Sequence, residues 1–431
     1  MSPRDRYLDK LISKKENGLI KVITGIRRCG KSYLLFKIYH QYLNSIGVPD
    51  DHIIELALDD DLNARYRNPL ELGDYVRSLV AGDQERMYYV FLDEIQKVVT
   101  MDNPYVPGGA DQIGFVDVLL GLMKIKNVDL YVTGSNSRML STDILTEFRG
   151  RGDEVRVHPL SYAEYYSACE DKRHAWRDYF TYGGMPLVLS QRTHEDKAKY
   201  LRDLFDKIYL DDIMTRNQIA SAKSVLDDLL DVLSSSVGSL TNPAKIAKTF
   251  TSVKGNRISD ETIAKYLDDF TDAFLLYQAK RYDVKGRKYI GSPFKYYFSD
   301  VGLRNARLNF RQQEENHIME NVIFNELLIR NYSVDVGIVP YNFKEDGKSQ
   351  RTNLEVDFVA NKDTRRYYIQ SAFSIPDDEK REQEIRPLAK VGDSFKKIVV
   401  VRDDIVPWHD ETGILYLGIE EFLLNESAMD A

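Results

Sequence analysis

A chain of 431 residues is long enough for roughly three domains at about 150 residues each. Hydrophobic residues at 43% and charged residues at 29% form an ordinary globular balance and exclude long disorder. With 59 Lys/Arg against 67 Asp/Glu the net charge is −8, which excludes a protein that coats nucleic acid over its whole surface but allows a local basic patch.

Residues 19–24 (LIKVIT) form a short apolar run that ends at Gly25. From Lys31 a helix is expected, with Leu34, Leu35, Ile38 and Tyr42 on one face. Buried-strand runs follow at Ile53–Leu58, Tyr88–Leu92 and Val128–Thr133, with helices around Pro69–Val80 and Phe115–Met123 between them. Alternating strands and helices predict a parallel sheet with ligand at the strand C-termini. The Pro/Gly-rich stretch Met101–Gly109 reads as a surface loop.

Between that first strand and helix stands Gly25-Ile26-Arg27-Arg28-Cys29-Gly30-Lys31-Ser32, an instance of G-x-x-x-x-G-K-[ST]. The glycines let successive backbone N–H groups turn inward around a phosphate at the positive end of the next helix. Lys31 then reaches the β/γ-phosphates and the Ser32 hydroxyl takes Mg²⁺. The expected cofactors are therefore ATP and Mg²⁺, with the ligand lining running from Gly25 through Ser32 to Tyr33. The run YYVFLDE ends an apolar strand in Asp93-Glu94. Asp93 is placed to hold the metal with Ser32, and Glu94 to activate the attacking water. Gly134-Ser135-Asn136 ends the next strand, where a small polar side chain can bond the γ-phosphate or the water. Sequence leaves open which of Ser135 and Asn136 does so; Asn136 is carried as the candidate. Arg149 and Arg151 follow a helix expected to end near Phe148, and Arg151 is the candidate to fork onto a γ-phosphate, across a subunit boundary in a homo-oligomer.

After Val155–His158 the pattern changes. Ser161 and Glu164 make a capping box that opens a mostly helical region to about Ser236, broken at Gly183-Gly184-Met185-Pro186. Asn242-Pro243 starts another helix, and a second runs from about Asp260 with Ile263, Tyr266, Leu267, Phe270 and Phe274 apolar. Two β-like runs flank Lys285-Gly286-Arg287-Lys288, and helix–turn–helix followed by a hairpin is the winged-helix order. The last part holds a helix (Ile318–Arg330), strands near Val334–Tyr341, Leu354–Ala360 and Arg366–Ala372, a helix near Glu379–Val391 and a strand at Lys397–Arg402. Two cysteines, Cys29 and Cys169, cannot build a disulfide framework and fit a reducing cytoplasm. No apolar run approaches ~18 residues and the start of the chain lacks an apolar signal core, so neither membrane segment nor export signal is expected.

ITGIRRCGKS (23–32), YVFLDEIQ (89–96), VTGSNSRMLS (132–141) and EFRGRGDEVRVHPLSYAEY (147–165) together resemble an AAA+ type ATPase. With YLDDFTDAFLLYQAKRYD (266–283), YYFSDVGLRN (296–305), HIMENVIFNEL (317–327) and EVDFV (355–359), the chain resembles the bacterial and archaeal "ATP-binding proteins" that join such a core to a C-terminal domain of unknown function. The resemblance implies an α/β protein: a P-loop NTPase parallel sheet core (1–160), a helical lid (161–236), a winged-helix-like domain (237–310) and a restriction-endonuclease-like PD-(D/E)XK domain (311–431). In that nuclease pattern Glu320 and Asp357 match the carboxylates, with Glu355 two residues before Asp357 on its strand. Where the pattern wants E-x-K, this chain reads Gln370-Ser371-Ala372. Lacking the lysine, the module is expected to be catalytically inactive.

Residues 240–295 carry eleven Lys/Arg against six Asp/Glu, a local balance of +5. Lys285, Arg287 and Lys288 concentrate at the hairpin, where a wing would meet DNA phosphates. The expected function is an ATP-hydrolysing protein whose nucleotide state controls its C-terminal modules, with DNA as a partner through the wing. The alternatives are an ATP-gated nuclease with a relocated metal site around Glu320, Glu355 and Asp357, and a nucleotide-gated scaffold that does not bind DNA.

Overall fold

Strand β1 (Ile20–Thr24) is buried at every position, as a central strand covered on both faces must be. It lies in a computed structural model that describes residues 4–109, 111–135, 152–216, 223–254, 258–311, 314–345, 348–375 and 378–431. The candidate residues Asn136, Arg149 and Arg151 lie outside these. The chain divides into two units, Met1–His158 with Asp272–Phe274 and Pro159–Thr271 with Leu275–Ala431.

In the first unit β2 (Ile53–Ala57), β3 (Tyr88–Asp93), β6 (Val128–Thr133) and β7 (Gly152–Arg156) join β1 in the order β2-β3-β6-β1-β7, parallel throughout. The short β4 (Met101–Asp102), at the start of the stretch expected as a loop, pairs with β5 (Gln112–Ile113) just beyond it. Ile20, Val22, Val90, Leu92 and Val132 pack with Leu72, Val76 and Leu119 from the flanking helices. Two of the charged residues within these strands find each other. Lys21 on β1 is ion-paired with Asp129 on β6, both buried, and the Tyr131 hydroxyl donates to the same carboxylate at 2.7 Å.

The helix Pro69–Val80 starts as its sequence requires: Asn68 Oδ1 accepts from the Leu70 and Glu71 amides and Pro69 occupies the first turn. The helical run after the phosphate loop departs from the expected face. Its middle, Leu34–Tyr39, is wound as a π-helix between Lys31–Tyr33 and His40–Ser45. The wider turn absorbs one extra residue. Burial therefore passes from Leu34 and Leu35 to Tyr39 and Leu43 instead of Ile38 and Tyr42.

The second unit opens with the expected capping box. Ser161 Oγ accepts from the Glu164 amide at 3.2 Å, and Glu164 Oε2 accepts from the Ser161 amide at 2.8 Å. The break at Gly183-Gly184 has a tertiary cause: the Gly184 N–H donates to buried Asp300 at 2.6 Å, while a Cβ on Gly184 would meet the Leu160 carbonyl oxygen at 2.1 Å. Asp300 also caps the helix Val301–Arg307. Eight strands form the second sheet: β8 (Leu276–Asp283), β9 (Lys288–Phe298), β10 (Ser333–Glu345), β11 (Lys348–Lys362), β12 (Arg365–Ala372), β13 (Lys396–Val401), β14 (Trp408–His409) and β15 (Leu415–Gly418). Their order is β14-β15-β13-β12-β11-β10-β8-β9.

The helices Pro243–Lys254 and Asp260–Asp272 precede the β8–β9 hairpin, in the order expected. The hairpin is not a free wing. β8 runs parallel to β10, with Arg281 opposite Val336 and Asp283 opposite Ile338, so the hairpin forms one edge of the C-terminal sheet. The apolar residues Leu276, Tyr277 and Ala279 of β8 are buried, which a wing splayed into solvent would expose. A sheet therefore runs across residue 310, where a domain boundary was expected. The tip, Lys285–Lys288, stands exposed.

Candidate nucleotide site

The phosphate loop leaves β1 at Gly25, whose φ of +141° and whose missing Cβ, 2.1 Å from the Val157 carbonyl oxygen if present, both require glycine. Gly30 takes φ 102° immediately before the helix. Ile26 and Cys29 are buried, so they offer a ligand only their main chain, while Arg28 and Tyr33 are exposed. The loop is fastened from outside. The buried Arg4 guanidinium donates to the Cys29 carbonyl and, at 2.8 Å, to the His158 carbonyl. His158 is fully enclosed, and burial together with Arg156, Lys10 and Arg4 pushes its pKa down to about 3.

Lys31 Nζ donates to the loop carbonyls of Gly25 at 2.9 Å and Ile26 at 3.2 Å. Ser32 Oγ donates to Asp93 Oδ2 at 2.7 Å, and the Thr133 hydroxyl donates to Asp93 Oδ1. The strand order explains this meeting. β6 lies between β1 and β3, so its last residue, Thr133, stands beside both the loop and Asp93. Glu94 turns off the strand in the left-handed conformation (φ 54°), with its amide on Thr133 Oγ1 at 3.0 Å. Its carboxylate accepts from Gln96 Nε2, which also reaches Ser135 Oγ at 3.5 Å.

The structure thus brings together Lys31, Ser32, Asp93, Glu94 and Ser135. Thr133 and Gln96 were missed. Thr133 was legible as the last residue of a strand next to the phosphate loop. Gln96 carried no signal, because only the turn at Glu94 folds it back. The donor set of a hydroxyl and a carboxylate, both hard oxygens at one point beside the loop, suits Mg²⁺.

The nuclease-like candidates also converge, within the second unit. Lys295 Nζ on β9 lies 2.8 Å from Glu320 Oε1, 2.8 Å from Glu355 Oε1 and 3.7 Å from Asp357 Oδ1. The Tyr297 hydroxyl donates to Glu320 at 2.6 Å. Burial opposes ionisation of Glu320, yet Lys295, His317 3.8 Å away and the hydrogen bond from Tyr297 hold its carboxyl well below the usual range. Burial and the neighbouring Glu320 charge push Asp357 up. Lys295, one of the eleven basic residues of 240–295, thus stands among these carboxylates rather than on the basic surface. Among the described residues no group of three or more His, Cys, Asp and Glu has the arrangement to hold a metal ion.

Comparison with known proteins decides the family. An uncharacterized protein of Haemophilus influenzae is 34% identical over 408 residues, covering 93% of both chains. This chain belongs to its family. Uncharacterized protein MJ1544 of Methanocaldococcus jannaschii is 27% identical over 421 residues, covering 93% of this chain and 84% of that one. Residues 17–166 of this chain match an AAA domain, and residues 173–314 match a domain of unknown function (DUF8612). The AAA match encloses the phosphate loop, Asp93, Glu94 and Thr133. Among solved structures, the Walker-type ATPase paby2304 of Pyrococcus abyssi aligns over 72% of this chain and 96% of its own at 14% identity, with a TM-score of 0.45. No helix among the described residues is long and apolar enough to cross a membrane.

Proposed function

We propose that this protein binds ATP with Mg²⁺ at the AAA domain and hydrolyses it, and that its nucleotide state acts on the second unit. The observation that carries the reading is the meeting of Ser32 and Asp93, 2.7 Å apart, at a glycine-bounded loop followed by Lys31. Main-chain amides from Gly25 to Ser32 receive the phosphates, and Tyr33 flanks them. Lys31, now on its own loop carbonyls, exchanges them for phosphate oxygens. Ser32 and Asp93 hold Mg²⁺, which neutralises phosphate charge when bound. Glu94 takes the proton of the attacking water, while Asn136 senses the γ-phosphate. Arg151 supplies a guanidinium across a subunit boundary.

Lys31→Ala is expected to abolish binding of a fluorescent ATP analogue. Glu94→Gln is expected to keep binding and to slow turnover by ~10²-fold or more. Equal turnover by the wild type and Glu94→Gln would refute the assignment. If Arg151 works in trans, specific activity rises with protein concentration and Arg151→Ala removes the rise without weakening binding.

For the output, DNA contact through the exposed Lys285, Arg287 and Lys288 is the favoured reading, in a soluble cytoplasmic protein. The nuclease alternative is the less favoured reading, because Gln370 and Ala372 stand where the pattern wants E-x-K. Supercoiled DNA incubated with the protein and Mg²⁺ or Mn²⁺ is expected to stay intact; nicking lost in Asp357→Ala would restore that alternative.

A further inference from the structure

Gln96 joins Glu94 to Ser135, just past the end of β6, and still has a polar atom to spare. Its Nε2 donates to Glu94 Oε2 and reaches Ser135 Oγ at 3.5 Å. A carboxylate only accepts, so the amide nitrogen must face Glu94, and the orientation of the carboxamide follows from chemistry. The other end, Gln96 Oε1, is buried and has no hydrogen-bond partner among the described residues. An orphaned buried acceptor is costly, so something at this site is expected to complete it. Nothing in the fold of the turn requires a glutamine there: the 3₁₀ turn Ile95–Lys97 buries Ile95, not Gln96.

The geometry points to Gln96 as a further residue of the hydrolytic machinery: its amide nitrogen fixes the Glu94 carboxylate, and its orphaned oxygen accepts a hydrogen bond from the attacking water. This rests on the ATPase reading above. In the step it serves, the water oxygen bonds to the γ-phosphorus as the bond from that phosphorus to the β–γ bridging oxygen breaks. The electron pair of that bond leaves with ADP, and the water proton passes to Glu94. Gln96 changes neither atoms nor electrons; it holds the water's second hydrogen and Glu94 in one orientation.

The test uses the full chain. Gln96→Ala is expected to bind a fluorescent ATP analogue and ADP within about threefold of wild type, with kcat lowered by ~10–10²-fold and KM little changed. Affinity for ADP with aluminium fluoride, a transition-state mimic, should fall by a similar factor. Gln96→Glu keeps the size and an acceptor but sets a carboxylate against Glu94, so it should be as slow as Gln96→Ala and improve as pH falls. Thermal melting checks that both variants fold. Unchanged kcat and unchanged affinity for the mimic in a folded Gln96→Ala would overturn the inference while leaving the ATPase reading standing, provided Glu94→Gln is slow in the same assay. Absence of turnover in the wild type would remove both.

Discussion

Lys295 Nζ lies 2.8 Å from Glu320 Oε1, joining the edge strand β9 to the helix Glu315–Ile329 inside the second unit. The side chain is 3% exposed and meets Glu355 and Asp357 as well. Removing the ammonium leaves the buried Glu320 carboxylate without its 2.8 Å ion pair. Lys295→Met is therefore expected to destabilise this unit by about 3–5 kcal/mol. Both tryptophans, Trp176 and Trp408, belong to the same unit, so urea unfolding followed by their fluorescence reads it directly. A cost below about 1 kcal/mol would show that water already serves these carboxylates.

Asp300 makes the second unit pH-dependent. Burial raises its carboxyl to about 6, with the Gly184, Leu303 and Gly302 amides pulling the other way. In the unfolded chain the group titrates near about 3.9. The folded state therefore holds the proton more tightly. Stability from this group is full below about pH 4 and is lost as pH rises through about 6, by some 2–3 kcal/mol. Asp300→Asn keeps an acceptor for one amide and removes the titration. Relative to it, wild-type protein should lose melting temperature between pH 4 and 6; parallel profiles would remove Asp300 as the cause.

Lys21 and Asp129 test how the first sheet tolerates charge. Burial pulls the Lys21 ammonium down, and the Asp129 charge holds it up. Lys21→Met alone strands a buried carboxylate and should cost about 3–5 kcal/mol. Lys21→Met with Asp129→Leu should recover most of that loss, since matched apolar residues replace a buried pair at little cost. If the double variant is no more stable than the single one, the Tyr131 hydroxyl and the other groups on Asp129 carry the energy instead.

The hairpin tip yields a salt-dependence test. Replacing Lys285, Arg287 and Lys288 by Ala should weaken duplex DNA binding and lower the slope of log affinity against log salt by about 2–3. An unchanged slope places any DNA contact elsewhere and favours a protein partner.

Much of the nucleotide site was legible because its signals are local. Gly25 and Gly30 are demanded by backbone conformation, Lys31 and Ser32 by their place at the helix start, and Asp93 by the end of an apolar strand. The helix starts at Asn68 and Ser161 were legible for the same reason, since a cap bonds amides two or three residues away. The one-residue drift from Ile38 to Tyr39 was not, because apolar spacing alone does not reveal a π turn.

What the amino-acid order determined by itself is the list of elements and the chemistry at their ends: a phosphate loop, an acidic strand end, a helix–helix–hairpin series. What only the tertiary structure decided is partnership. Alternation along β9 shows that Lys295 and Tyr297 share a face, but not that the face turns toward Glu320 and Asp357. Alternation along β8 shows a strand, but not that its free edge pairs with β10 and turns an expected wing into part of a sheet. Periodicity records which side of an element is buried; the identity of the neighbour depends on contacts between residues far apart in the chain, and no local pattern encodes it.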